Sequence, residues 1–215
     1  MGNRAIITDT TRKVGVYLHW NGGRDSVEPF LEYCKRKKYR GFGSDTSYGM
    51  ARLIQVIGNF FGGTTSLGVT TCCKGYEDNG LYVVKDWDIV GRYIEQFDEE
   101  TQSYKEVEFP EDEEQNEWDF QEMLESIDLS QPEKERLGID FLRAKKVPVS
   151  SLKVGDTIFT YNWNDELKKV KVIGFGENEP VNGHNVLGLP QIDLCNGGDW
   201  TNPNNYIYEK EVYKA

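Results

Sequence analysis

The sequence lacks the features by which membrane, secreted and metal-binding proteins are most readily recognised. No apolar run approaches the roughly 18 residues of a membrane-spanning helix, and the first residues lack the long apolar stretch of a signal peptide. There are only two histidines and four cysteines, and no two cysteines form a C-x-x-C pair. These absences predict a cytoplasmic protein with reduced thiols, no metal site, no cofactor and no membrane contact.

Recognisable catalytic motifs are missing as well. The chain has no G-x-G-x-x-G turn, no phosphate-binding P-loop, no G-x-S-x-G around a serine and no calcium-binding D-x-D-x-D-G loop. Cys34 falls on the apolar face of a predicted helix, where a thiol is usually unreactive. The sequence therefore predicts no catalytic residue and favours a non-enzymatic protein, although it leaves the enzyme question open.

What the sequence has in excess is negative charge, and this charge is localised. The net charge of the chain is -11, yet residues 96–143 alone carry 17 acidic and 4 basic side chains, a net of -13. The flanking segments are close to neutral by comparison. Such asymmetry indicates either a solvated linker or an interaction surface for a basic partner.

The first part of the chain predicts an α+β domain with element order ββααββ. Strands are expected over 4–8 and 14–20, and a helix with Asp25 as its N-cap follows the Asn-Gly-Gly turn. A second helix is indicated by one apolar stripe. Its members are Met50, Leu53, Ile54, Ile57 and Phe61. Strands are expected over 64–71 and 81–84, with a hairpin signal at the D-N-G sequence and a strand or short helix over 86–97.

The composition then changes twice, which predicts three regions: an α+β domain over 1–97, an acidic linker or helical segment over 98–143 and an all-β module over 144–215. Within the acidic segment a short amphipathic helix is expected over 118–127, and another is expected over 132–142. The last region has alternating strands separated by Gly- and Asn-rich turns. It predicts a small SH3-like or partly open β-barrel.

The acidic run is the first candidate site, which we call the acidic surface. It comprises Glu111, Asp112, Glu113, Glu114, Glu117, Trp118, Asp119 and Glu122. These carboxylates could meet a basic groove on a protein partner, such as a groove that normally holds nucleic acid. Trp118 and three further apolar residues of this segment, Phe120, Met123 and Leu124, would supply anchors among the charges.

Two further stretches carry alternative hypotheses. The His19 turn comprises Tyr17, His19, Trp20, Asn21, Arg24 and Asp25. Its glycine turn leads into a helix N-terminus that could hold an anion, with His19 as a general base, although Asp25 would repel a phosphate. The basic run, Lys35 to Arg40, holds five cations that could contact nucleic-acid phosphates. A plain β-to-α turn and a plain cationic helix end explain these two stretches without a ligand and are the favoured interpretations.

Several sequence stretches resemble a family of uncharacterised proteins carried by phages and mobile elements of Gram-positive bacteria. They are G-V-Y-L-H-W-N-G-G-R-D-S-V, Y-G-M-A-R-L-I-Q-V-I-G-N-F-F-G-G and D-N-G-L-Y-V-V, and the likeness extends to V-P-V-S-S-L-K-V-G-D and N-P-N-N-Y. The resemblance implies phage cargo acting in a host bacterial cell. Small acidic proteins of this class often block host defence enzymes, including CRISPR nucleases.

The sequence thus predicts a non-enzymatic, anti-CRISPR-like protein that inhibits a host defence protein through the acidic surface. Two alternatives remain: an enzyme acting on a nucleotide or nucleic acid at the His19 turn, and a nucleic-acid-binding accessory protein that uses the basic run.

Overall fold

The protein divides into two compact units, Met1–Arg136 and Leu137–Ala215. The computed structural model describes residues 2–42, 46–63, 65–75, 77–110, 117–161, 166–175, 179–181, 184–186, 190–193 and 210–215. These residues form four α-helices together with β-sheets, so the predicted α+β class is confirmed. No helix in these ranges is both long and apolar enough to cross a membrane.

The first unit is built on a six-stranded sheet. Its strands are β1 (Ala5–Asp9), β2 (Gly15–Leu18), β3 (Leu67–Thr70), β4 (Leu81–Lys85), β5 (Asp88–Asp98) and β6 (Ser103–Glu108). Their order is β3-β2-β1-β4-β5-β6, and only β1 and β4 run parallel to each other. All five residues of β1 and the first four of β4 are buried, as expected for the central strands of a covered sheet.

One hairpin prediction needs correction, whereas the strand alternative for 86–97 is confirmed. The D-N-G sequence turns the chain into β4 but joins no hairpin, because β3 pairs with β2 while β4 pairs with β1. The segment predicted as a strand or short helix over 86–97 is the long strand β5. A bulge at Val90 leaves this residue without a partner on β4 and exposes it.

Three helices complete the first unit: α1 (Arg24–Arg36), α2 (Thr46–Phe61) and α3 (Glu117–Ser130). The predicted apolar face of α1 is buried, and Phe30 packs edge-on against Phe60 of α2. The predicted N-cap is wrong, because Gly23 caps the helix without a side-chain hydrogen bond and Asp25 lies inside the first turn. Pro29 lies beyond the first turn of α1.

The region predicted as an acidic segment over 98–143 does not form a body of its own. Strand β6 belongs to the sheet, and α3 packs mainly on α1 and also on α2. The helix predicted over 132–142 is interrupted. A 3-10 turn at Glu133–Glu135 and the four-residue α4 (Ile139–Leu142) flank an extended stretch that ends in Gly138 at φ 85°. The break arises because a positive φ ends helical geometry.

The second unit contains seven strands among its described residues. They are β7 (Lys145–Pro148), β8 (Thr157–Tyr161), β9 (Leu167–Phe175), β10 (Glu179–Val181), β11 (His184–Val186), β12 (Pro190–Asp193) and β13 (Glu211–Lys214). Five form a sheet in the order β12-β9-β8-β13-β7, and β10 pairs only with β11. Because β12 and β7 do not pair, the described strands form no closed barrel, and the predicted SH3-like barrel is not confirmed. The apolar core of the second unit includes Leu152, Ile158 and Val172.

Candidate functional site

The described part of the acidic surface lies on the first two turns of α3. Glu117, Asp119 and Glu122 are all exposed there. Glu111, Asp112, Glu113 and Glu114 lie outside the described residues, and for Trp118 only the backbone is described. The three exposed carboxylates carry a concentrated negative charge on a helix end, where acidic side chains also complement the helix dipole.

The opposite side of α3 is buried, which corrects one part of the predicted surface. Leu124 has no exposed area, so it cannot act as an anchor for a partner as the sequence analysis expected. Ile127 is equally buried, whereas Phe120 and Met123 are half-buried. The apolar spacing on α3 therefore serves mainly to attach the helix to its own unit.

Two buried polar residues hold α3 in place, and the sequence analysis missed both. Asp128 accepts a hydrogen bond of 2.8 Å from the Tyr33 hydroxyl of α1. Burial, reinforced by this carboxylate, raises the pKa of Tyr33 far above its usual value. Gln131 donates to the Val56 carbonyl of α2 and accepts from the Asn59 amide. The signal was available, because Leu124, Ile127, Asp128 and Gln131 share the i, i+3, i+4, i+7 spacing of one helix face.

A second acidic feature, which the sequence analysis did not single out, is the hairpin of β5 and β6. Phe97 and Tyr104 lie opposite each other with ring centroids 5.3 Å apart, and they are 47% and 68% exposed. Carboxylates surround this pair on both strands and in the connecting turn. They are Glu95, Asp98, Glu99, Glu100, Glu106 and Glu108. An exposed aromatic pair among charges is typical of contact surfaces.

The His19 turn is only partly assembled as a site. The Tyr17 hydroxyl lies 3.1 Å from His19 Nδ1, and the Trp20 ring meets the imidazole edge-on at a centroid distance of 5.2 Å. Asn21 instead donates to the Ser26 hydroxyl. The turn therefore brings Tyr17, His19 and Trp20 together but directs Asn21 toward the helix.

The anion-binding hypothesis for this turn finds little support in its charges. Arg24 Nε donates to Glu28 Oε1 at 2.6 Å, and exposed Asp25 carries a negative charge in the first helical turn. Arg4 beside Tyr17 is likewise neutralised, since it pairs with Glu77 at 3.2 Å and with Asp78 at 2.9 Å. Burial and the Glu77 carboxylate raise the pKa of Tyr17. An incoming anion would meet paired cations and the exposed carboxylate of Asp25.

The basic run is also engaged by its own unit. Lys35 pairs with Asp88 at 2.6 Å, and Arg36 pairs with Glu32 at the same distance. Lys37 donates to the Glu135 carbonyl at 2.5 Å, and burial lowers the pKa of its ammonium group. Since three of the five cations have such partners, a continuous phosphate-binding strip along this run is not favoured.

The described residues offer no group of three or more His, Cys, Asp or Glu side chains arranged to hold a metal ion. Burial raises the pKa of the Cys34 thiol, so the reactive thiolate is suppressed there. Cys72, by contrast, is exposed.

Comparison with known proteins adds no identity. The chain matches no protein-family model, no curated protein and no solved structure.

Proposed function

We propose that this protein is a phage-derived, non-enzymatic inhibitor that binds a host defence protein, for example a CRISPR nuclease, through its acidic surface. The observation that carries the proposal is the exposed acidic end of α3, formed by Glu117, Asp119 and Glu122 on a helix whose other side is buried. The partner would present a basic groove. Such a groove is what a nucleic-acid-processing enzyme offers to its substrate.

The anchoring of α3 supports this proposal physically. A charged surface on a rigid helix loses little conformational freedom on binding, whereas a mobile acidic tail would have to be ordered. The Tyr33–Asp128 hydrogen bond and the buried Leu124 hold the helix on α1. Concentrated negative charge would also speed association with a basic partner and make it sensitive to salt.

Neutralising the described acidic residues is expected to weaken partner binding strongly. The variant combines Glu117→Gln, Asp119→Asn and Glu122→Gln. Since each exposed charge pair contributes about 0.2–1 kcal/mol, we expect the three changes to lower affinity roughly 3- to 150-fold at low salt. The measurement begins with capture from bacterial lysate at low and high salt. The captured protein is then purified and titrated against both forms.

A matched control places the same charge change elsewhere. Asp140→Asn, Glu166→Gln and Glu211→Gln remove three exposed carboxylates from the second unit and leave the net charge equal to that of the α3 variant. This control should bind like the unaltered protein. Equal weakening by both variants would mean that only net charge matters, and the proposed surface would then be wrong.

A second candidate function is favoured by one observation, the contact between Tyr17 and His19 Nδ1. It orients the imidazole and leaves Nε2 available for proton transfer to a nucleotide or nucleic acid. If this function holds, His19→Asn should abolish turnover of nucleotide or nucleic-acid substrates by at least a hundredfold while leaving partner capture unchanged. Trp20→Ala is the control, because it changes a residue beside the His19 imidazole and leaves the imidazole in place. Absence of turnover in the unaltered protein would exclude the enzymatic function.

The nucleic-acid-binding alternative predicts a different result. If the basic run binds phosphates, Lys35→Glu should reduce retention on heparin or DNA.

A further inference from the structure

The outer edge of the six-stranded sheet is the strongest unassigned feature of the first unit. Strand β6 pairs with β5 on one side, and among the described strands no other strand lies on its second side. An unpaired strand edge presents a row of backbone donors and acceptors that can accept one more strand. The β6 residues that offer these groups, and the side chains beside them, determine what the edge can bind.

The hydrogen-bond pattern of the hairpin identifies the β6 residues whose backbone groups point away from β5. The Phe109 amide donates to the Arg92 carbonyl at 2.9 Å, so these two residues form a hydrogen-bonded pair. Hydrogen-bonded and non-hydrogen-bonded pairs alternate along antiparallel strands. By this alternation the amide and carbonyl groups of Tyr104, Glu106 and Glu108 point away from β5. The Glu95 amide shows the same alternation on β5, since it donates to the Gly75 carbonyl, on the side away from β6.

The side chains of these same three residues lie on one face of the sheet. Tyr104 faces Phe97 across the strand pair, Glu106 faces Glu95, and Glu108 follows on the same face. The face therefore presents one exposed aromatic ring and two carboxylates at alternating positions along the free edge. Arg12 pairs with Glu106 at 2.5 Å, and no described cation pairs with Glu108.

We propose that the free edge of β6 binds an extended basic segment of a protein partner, which adds as a seventh strand and places Lys or Arg at alternate positions opposite Tyr104, Glu106 and Glu108. Arginine fits best opposite Tyr104, because its guanidinium stacks on an aromatic ring. The inference rests on the proposed function as a binding protein for a basic partner, but it uses a different surface from α3.

Charge decides among the possible occupants of this edge. In a second copy of this chain, antiparallel pairing of two β6 strands would bring glutamates of the two edges close together, and like charges across strands are destabilising. A basic segment instead neutralises Glu108 and the acidic turn at Glu99 and Glu100. The edge therefore selects against self-association and in favour of a cationic strand.

The test uses a synthetic peptide in which Arg alternates with Val, blocked at both ends, and the full-length protein. Fluorescence anisotropy measures its affinity, and amide hydrogen exchange by NMR measures protection on β6. We expect protection to rise at Tyr104, Glu106 and Glu108 and to change little at Lys105 and Val107, whose amides already face β5. A different protection pattern would overturn the proposed edge.

Backbone methylation provides the matched control, since it leaves charge and composition unchanged. The added strand runs antiparallel to β6 in the proposed register, so residues opposite Tyr104, Glu106 and Glu108 form hydrogen-bonded pairs. The arginine amides therefore point toward β6 and the valine amides point away. Methylating the arginine amides should lower affinity at least about tenfold, because two or three hydrogen bonds are lost, whereas methylating the valine amides should have little effect. Equal affinity of both methylated peptides would mean attraction by charge alone and would overturn strand addition.

Protein variants separate this edge from the acidic surface. Glu108→Gln removes one charge, and Glu108→Pro removes in addition the outward amide, which proline cannot provide. We expect Glu108→Pro to bind the peptide several-fold more weakly than Glu108→Gln. The neutralised α3 variant should bind the peptide as the unaltered protein does. If the peptide does not bind the unaltered protein while the neutralised α3 variant still binds the captured partner more weakly, this inference is wrong and the proposed function is unaffected. Self-association through β6, detected by sedimentation without peptide, would overturn it as well.

Discussion

Replacing Leu124 by alanine is expected to lower the free energy of unfolding of the first unit by about 3.5 kcal/mol, the middle of the range for fully buried leucines. The side chain has no exposed area, and its helix packs on α1 and α2. Alanine would leave a cavity where α3 meets the other helices. Urea denaturation followed by tryptophan fluorescence and circular dichroism measures the loss.

The same helix supplies a matched control. Leu129 is 57% exposed, so Leu129→Ala removes the same atoms from solvent-accessible surface and should cost less than roughly 0.5 kcal/mol. Near-equal, small effects of both changes would show that α3 is a loosely attached linker helix, as the composition suggested. A large difference supports its role as a structural element that carries the acidic surface.

The sequence allowed the local elements of the first unit to be predicted well, because their apolar periodicity is strong. On α1 the apolar positions Val27, Phe30, Leu31 and Cys34 are all buried. On α2 the stripe holds for Leu53 and Ile57, which are buried too. Helix periodicity is a local property, so a window of a few turns is enough to reveal it.

Non-local pairing could not be predicted in the same way. Nothing in the local pattern of β4 specifies that it lies parallel to β1, some 75 residues earlier in the chain. Edge strand β6 has a related difficulty: most of its residues are exposed on both faces, so its side chains show no apolar alternation. Its local sequence over 104–110 predicts a strand or extended segment, which β6 confirms. Its acidic composition placed it in the linker region, whereas its backbone pairing with β5 makes it part of the sheet.

The candidate site was predicted only in part, because composition shows which residues are charged but not which of them are buried. Exposed carboxylates at the start of α3 follow directly from composition, and Glu117, Asp119 and Glu122 are exposed as a charged surface requires. Asp128 belongs to the same acidic stretch, yet it is buried against Tyr33. Charge alone does not separate these two roles. The helical position of each carboxylate relative to Leu124 does.

The buried groups of α1 make a second large prediction, a loss of stability at alkaline pH. Burial and the neighbouring Asp128 raise the pKa of Tyr33, and burial raises the pKa of the Cys34 thiol. Above the ordinary pKa of each group the unfolded chain releases a proton that the folded chain keeps. The free energy of unfolding therefore falls by about 1.4 kcal/mol per pH unit for each group.

The fall in the free energy of unfolding should begin near pH 8.5, where an unfolded thiol ionises. It should steepen near pH 10, where an unfolded tyrosine ionises. Between pH 10 and 11 these two groups together contribute a fall of about 2.4 kcal/mol, of which Tyr33→Phe should remove about 1.0 kcal/mol and Cys34→Ala about 1.3 kcal/mol. Lys37 acts in the opposite direction below its ordinary pKa, since burial lowers the pKa of its ammonium group. For this reason the comparison is made between variants.

Urea denaturation under reducing conditions at each pH provides the measurement, with Cys72→Ala and Tyr48→Phe as exposed controls. If Tyr33→Phe and Cys34→Ala kept the full slope, other groups would have to carry the alkaline transition, and the protonated Tyr33–Asp128 contact would not be what holds α3 on α1.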